Sequence, residues 1–188
     1  MPASLLFKFH RAKSTCMNLL HFSESAERSE VFAGVQSYLE AKGFQIISSD
    51  FQRPWGGFFV LDESQASFFR ETFFPEFSVE DFAGFEKLSP KFLIVAPSQR
   101  LSWQYHHRRS EIWRVVGGVA GVVVSDTDEE TPMRELSVGD LVQLKQGERH
   151  RLMGTNGYGI VAEIWQHVDP THPSDEDDIV RVQDDFGR

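Results

Sequence analysis

One cysteine, Cys16, is all that the 188 residues contain, so no intramolecular disulfide can form. That excludes a disulfide-stapled scaffold and fits a reducing cytoplasm. No run approaches the roughly 20 apolar residues that a membrane-spanning helix needs, so no membrane partner is expected. Basic charge is scarce: 19 Lys and Arg stand against 28 Asp and Glu, a formal net charge of −9. Nucleic-acid binding is excluded on that balance, because phosphate contacts need clustered Lys and Arg. A small anionic substrate stays open wherever arginines converge locally. The last 20 residues alone supply −5 of the −9, with Asp169, Asp175, Glu176, Asp177, Asp178, Asp184 and Asp185 against Arg181 and Arg188.

What is present suits one domain with a sizeable core. Seventeen phenylalanines are unusually many, and they concentrate before residue 95. The N-terminal stretch through Phe22 is basic and partly apolar. Its apolar runs are short and broken and no small-residue cleavage site follows, so a targeting peptide is not the preferred reading. Residues 1–24 are expected to be disordered or poorly ordered, and Met17 is an alternative start to Met1.

Residues 25–42 predict a helix, with Ser25 as N-cap, Val31, Val35, Tyr38 and Leu39 at helical spacing, and Gly43 as the stop. A strand follows at "FQIISS", then a turn and short strand at "RPWGGFFVLDE". "SQASFFRETFF" predicts a second amphipathic helix capped by Ser64 and ending near Pro75. After Pro90 the pattern changes. "KFLIVAP", "LSWQYHH", "EIWRVVGGVAGVVVS", "DLVQL", "RHRLMG" and "YGIVAEIW" are short β-rich runs separated by Gly-, Pro- and Asp-containing turns. Such spacing predicts a mainly β sandwich or barrel. The expected layout is a helical or mixed extension over 25–90 packing on a barrel over 91–168, with an acidic tail over 169–188 folding back. The first helix and the phenylalanines of 68–85 are expected to pack on the barrel or to form a homodimer contact.

The chemistry concentrates in "LSWQYHHRRSEIW", residues 101–113. On a strand Gln104 and His106 share a face, and His107 points the other way. Glu111 lies on the wrong face by simple alternation, so "HRRS" must bend the chain; a hairpin there returns Glu111 beside His106. A further group comes from His150, which opens the strand after the glycine-bracketed segment Gly139 to Gly147. Two imidazoles, a carboxylate and an amide oxygen make a mixed N/O site for one divalent ion, with Zn first and Mn, Fe, Co or Ni tolerated. The alternative is a solvated polar turn that happens to hold histidines.

These residues also carry a family resemblance. Residues 91–152 are similar to the metal-binding cupins, with Ser98 at the first motif glycine, Gln104 and His106 at the histidine pair, Glu111 at the glutamate and Gly118 at the closing glycine. In the second motif stand Gly139, Lys145 in place of proline, Gly147, His150, and Gly154 in place of asparagine. Glutamine at the first ligand position resembles the type II mannose-6-phosphate isomerases, the cupin module also fused to mannose-1-phosphate guanylyltransferases. Their core reads roughly P-G-x-R-L-S-L-Q-x-H-H-H-R-x-E-H-W. Pro97, Arg100, Leu101, Ser102, Gln104, His106, His107, Arg109, Glu111 and Trp113 stand in register with it. "RPWG" from Arg53 to Gly56 resembles that family's entry motif, and "EDDIVRVQDDFGR" its closing motif, with Phe186 at the tyrosine. Arg108, Ile112 and Val119 depart from the pattern.

The resemblance implies a cupin jelly-roll barrel (a double-stranded β-helix) and a cytoplasmic, metal-dependent interconversion of mannose 6-phosphate and fructose 6-phosphate for polysaccharide synthesis. It implies metal ligation by Gln104, His106, Glu111 and His150. Proton transfer or electrophilic assistance falls to His107 and Arg109, and sugar-phosphate binding to Arg53, Arg100 and Arg181, with Lys91 and Lys145 weaker candidates. Trp55 and Trp103 are core residues or sugar-stacking platforms. An isomerase of another sugar phosphate, such as a heptose phosphate, and a non-catalytic cupin that binds a sugar or nucleotide sugar remain the alternatives.

Overall fold

The computed structural model describes residues 20–187. Within them, helix α1 (Arg28–Ala41) is followed by strands β1 (Ile46–Asp50) and β2 (Gly56–Leu61), helix α2 (Ala66–Phe73), then β3 (Leu88–Val95), β4 (Trp103–His106), β5 (Arg109–Gly117), β6 (Val119–Ser125), β7 (Arg134–Ser137), β8 (Leu141–Leu144), β9 (Arg149–Gly154), β10 (Gly159–His167) and β11 (Ile179–Gln183). The strands form two antiparallel sheets. One has the order β1-β2-β3-β10-β5-β8 and the other β11-β4-β9-β6-β7. The fold is mainly β, a cupin-type jelly roll with an N-terminal helix.

The central strands β3, β10 and β5 of the six-stranded sheet are buried on both faces, which is why β3 and β10 read as largely apolar runs, whereas the edge strand β1 is mostly exposed. On β3, Leu93 and Val95 turn into the space between the sheets, where Trp113, Val115, Val122 and Leu152 meet them. Phe92 and Ile94 turn outward and pack under the helices with Val31, Val35, Leu39, Phe69 and Phe73. Phe69, Phe73 and Phe92 pack ring on ring at centroid distances of 4.8–5.9 Å. Burying each such side chain contributes about 1.5–3 kcal/mol. The phenylalanine-rich segment therefore covers the outer face of the barrel sheet.

Several expectations need correction. α1 begins three residues after Ser25, with Glu27 at the cap position, and Ser25 forms a turn with Ser23. The short 3-10 turn before α2 is capped by Asp62, whose carboxylate accepts from the Ser64 amide. β1 and β2 join the barrel sheet, so residue 91 is not a boundary between extension and barrel. His107 and Arg108 do not make a hairpin: β4 and β5 lie in different sheets, and the chain turns a corner between them. Of the segment 1–24, residues 1–19, with both candidate starts and Cys16, lie outside the described residues. Leu20 is buried and bridges Gly117.

Two glycine positions of the motifs explain themselves. Ser98, where the first motif has glycine, holds a positive φ of 56°, the conformation glycine adopts at least cost. Gly118 links β5 to β6 at φ 64°, where a Cβ would stand 2.0 Å from the Tyr158 carbonyl oxygen.

Candidate metal centre

The corner after β4 is what assembles the site. β4 presents Gln104 and His106 inward, and β9 runs beside it so that His150 is the register partner of Gln104. β5 enters the opposite sheet and aims Glu111 inward from across the sandwich. The potential ligand atoms of His106, Glu111 and His150 lie within 4.8 Å of one another, all buried. His106 Nε2 is 3.2 Å from His150 Nε2 and 3.3 Å from Glu111 Oε1, and His150 Nε2 is 3.6 Å from Glu111 Oε2.

The tautomers follow from the partners. His106 Nδ1 faces the Asp178 carbonyl at 3.4 Å and His150 Nδ1 the Glu148 carbonyl at 2.9 Å. A carbonyl only accepts, so both Nδ1 atoms carry hydrogen and both Nε2 lone pairs face each other and a carboxylate. Burial pushes His106 down to about 3 and also lowers His150, so both rings stay neutral. Burial pushes Glu111 up, but the Arg109 guanidinium, which donates to its Oε1 at 2.6 Å, outweighs it and holds the carboxyl well below its usual range. Converging lone pairs beside an ionised carboxylate form a donor set for one divalent cation, of the kind backbone-oriented imidazoles usually provide. Gln104 fits less directly. Its Oε1 accepts from Ser102 at 2.6 Å and its Nε2 is the atom turned toward His106, at 3.5 Å. A half-turn of the carboxamide brings the oxygen to the triad, with Ser102 Oγ able to accept from the amide instead.

Arg109 is buried among these groups. It donates to Glu111 Oε1 at 2.6 Å, to His106 Nε2 at 2.9 Å and to Ser174 Oγ at 2.7 Å, and its guanidinium lies 3.5 Å from the Trp165 ring centroid. An ion in the triad competes for the first two acceptors and leaves the Ser174 and Trp165 contacts.

A cavity opens beside the triad, lined by Arg53, Lys91, Gln104, Arg109, Glu111, Glu163, Trp165 and Arg181 among others. Arg181 is paired in register with Gln104, and its Nε is buried without a hydrogen-bond partner. Arg53 Nε lies 2.7 Å from Asp50 Oδ2, close enough for an ion pair but without hydrogen-bond alignment. Trp55 lines this cavity, whereas Trp103 is buried under the Asp128 carbonyl it donates to. Two expected site residues lie elsewhere. Arg100 is outside the cavity, in an ion pair with Asp185 at 2.5 Å. His107 is exposed at the corner just after β4, edge-on to Tyr105 and outside the cavity.

The departures from the family pattern also fall outside the cavity. Ile112 packs into the outer core beneath the helices. Arg108 ties down the tail, 2.8 Å from Asp175 and 3.4 Å from Asp178. Lys145 opens the turn that Glu148 closes by accepting its backbone amide. Sequence reasoning missed Glu163 and gave Lys91 little weight; both are buried charges inside the barrel. Asp178 was missed too. It accepts from the backbone amides of His107 and Arg108, both at 3.0 Å, and from Ser174 at 2.6 Å.

Two antiparallel sheets closed over a His–His–Glu constellation define a cupin barrel compatible with one metal ion. The profile of the family described as mannose-6-phosphate isomerase C-terminal matches residues 66–184, and the chain belongs to that family. Among curated relatives, the xanthan biosynthesis protein XanB of Xanthomonas campestris pv. campestris is 30% identical over 136 residues, 72% of this chain and 23% of that protein. Mannose-1-phosphate guanylyltransferase ManC of Salmonella typhimurium is 29% identical over 119 residues, 63% of this chain and 23% of that protein. The chain thus spans about a quarter of the length of these relatives. A solved cupin 2 conserved barrel domain protein from Salinispora arenicola is 26% identical, with a TM-score of 0.37 over 45% of this chain and 65% of that one.

Proposed function

We propose that the protein is a metal-dependent aldose–ketose isomerase acting on a sugar phosphate, with mannose 6-phosphate and fructose 6-phosphate as the pair. The observation that supports this most is the sharing of one cavity by the Glu111 end of the triad and the cations Arg53, Lys91, Arg109 and Arg181. An aldose–ketose isomerase needs both features, a centre that stabilises a developing oxyanion and cations that hold a phosphate at a distance from it. His106, Glu111 and His150 hold the ion, with Gln104 as a fourth ligand after its carboxamide turns; zinc suits two imidazoles and a carboxylate. The ion supplies a Lewis acid that polarises a carbonyl.

The chain's own residues do the rest. Arg53 and Arg181 bind the phosphate; Arg181 brings a buried Nε that lacks a partner, and a phosphate oxygen would satisfy it. Arg109, held by Ser174 and by the face of Trp165, keeps a fixed positive charge beside the triad. The apolar walls of Trp55, Phe58 and Leu93 exclude water from the reacting carbons. The guanylyl transfer in the name of ManC concerns a whole protein of which this chain matches about a quarter. A cytoplasmic location is part of the same proposal; among the described residues no helix is long and apolar enough to cross a membrane.

The test is a coupled assay of the purified, metal-loaded chain with fructose 6-phosphate, mannose 6-phosphate and a heptose phosphate. Interconversion of the first two at a metal-dependent rate is the expected result. Tight binding of a sugar phosphate without turnover on any of the three would replace this reading with that of a binding module.

A further inference from the structure

Exposure of His107 removes the imidazole expected to move the proton, so the cavity must supply another group if the isomerase reading holds. Glu176 lies on the exposed tail. Glu111 is tied to Arg109 and to the triad. The remaining lining groups able to exchange a proton with a carbon are Glu163 and Lys91.

Their placement is not accounted for by stability. Glu163 sits mid-strand in β10 between two inward-facing register partners, Lys91 on β3 and Trp113 on β5. It is 3% exposed and Lys91 is 8% exposed. The neighbouring inward positions Leu93, Val115 and Val161 are apolar, as a packed barrel prefers. Taking a carboxylate and an ammonium out of water costs several kcal/mol each, and a well-packed apolar pair there is often as stable or more so. Trp113 Nε1 fixes the carboxylate, donating to Glu163 Oε1 at 2.9 Å and to Glu111 Oε2 at 3.0 Å. One indole N–H thus sets the position of Glu163 relative to the triad. The Lys91 ammonium lies 3.1 Å from the Trp165 ring centroid and 5.6 Å from that of Phe58, aromatic faces that hold a cation without taking its protons.

We propose that Glu163 is the proton-transferring base of this site and that Lys91, facing it across β3 and β10, is its partner for the substrate oxygens. The assignment rests on the isomerase reading above. In the open-chain aldose the Glu163 carboxylate takes the proton from C2. The C2–H electron pair becomes the second bond between C1 and C2, and the carbonyl pair moves onto O1. Lys91 gives a proton to O1 and recovers one from the O2 hydroxyl as the C2 carbonyl forms. Glu163 then returns its proton to C1. No proton or electron is gained or lost overall. Burial supports the assignment by raising Glu163 and lowering Lys91, which brings acid and base toward a common range.

The experiment uses the metal-loaded chain and reads four quantities: turnover of fructose 6-phosphate, incorporation of solvent deuterium at C2 of the aldose, fructose 6-phosphate binding by calorimetry, and metal content. Glu163→Gln is expected to lower turnover and deuterium incorporation together by about 10²–10⁴-fold. Binding should stay within about threefold and metal content should not change, because Glu163 holds neither the phosphate nor the ion. Glu163→Ala is the second variant, with part of its lost rate restored by added formate. Wild-type turnover with either folded variant keeping more than a third of the deuterium incorporation would overturn the assignment and leave the isomerase reading standing. A wild type that neither turns over nor incorporates deuterium would overturn both.

Discussion

At the scale of single residues, the cavity is organised by groups that never enter it. His167 is one. Its Nδ1 accepts from the Ser174 amide at 2.9 Å and its Nε2 pairs with Ser89 Oγ at 2.8 Å, and Ser174 in turn holds Arg109. Burial, followed by the nearby positive charge of Lys87, pushes this imidazole down to about 4 from its ordinary 6.5. Above about pH 6.5 the ring is neutral in both folded and unfolded chains. Below it the unfolded chain takes the proton while the folded one does not, so stability falls until the folded ring also protonates near pH 4. The loss is at most about 1.4 kcal/mol per pH unit. His106 and His150 contribute with the same sign, so the measurement is a difference. Urea unfolding of wild type and His167→Asn is expected to give a stability gap that narrows from pH 6.5 to pH 4.5; a gap independent of pH would contradict it. Glu163 shows what the residue scale concealed in the sequence. The histidine cluster is the conspicuous signal in the sequence, whereas the sign of a charge turned into the barrel is a single glutamate inside "IVAEIW".

At the scale of elements, the strands that read clearly from the sequence are those whose physics is simple. β3 and β10 are buried on both faces and appear as apolar runs. β7 is four residues long and mostly exposed, so "RELS" carries no period to detect. β11 is half-buried and sits among acids, which masked it as tail. The corner at 107–108 was not legible either, because residue spacing does not distinguish a hairpin within one sheet from a crossing between two. β11 matters beyond its length. It pairs with β4, and Asp178 at its start caps the turn after β4 while its carbonyl orients His106. Asp178→Ala leaves two backbone amides and the Ser174 hydroxyl without their acceptor and Arg108 without one carboxylate. The expected cost is about 2–4 kcal/mol in chemical denaturation, with a weakened metal affinity, since the backbone segment whose Asp178 carbonyl faces His106 Nδ1 is no longer tied to the corner after β4. A variant with wild-type stability and metal affinity would show that the tail is only a surface strand.

At the scale of the whole molecule, the helices and the phenylalanine-rich segment cover one face of a sheet whose other face lines the site, so the extension and the barrel are one packed unit. The site depends on that unit because its converging donors come from both sheets, His106 and His150 from one and Glu111 from the other, a set compatible with one metal ion. Metal content of the purified chain, by elemental analysis of wild type, Glu111→Ala and His150→Ala, tests this joint ligation. We expect close to one divalent ion per wild-type chain and under about a tenth in each folded variant, because each removes one of three converging donors. An ion content that is the same in all three proteins, with all three folded, would contradict it.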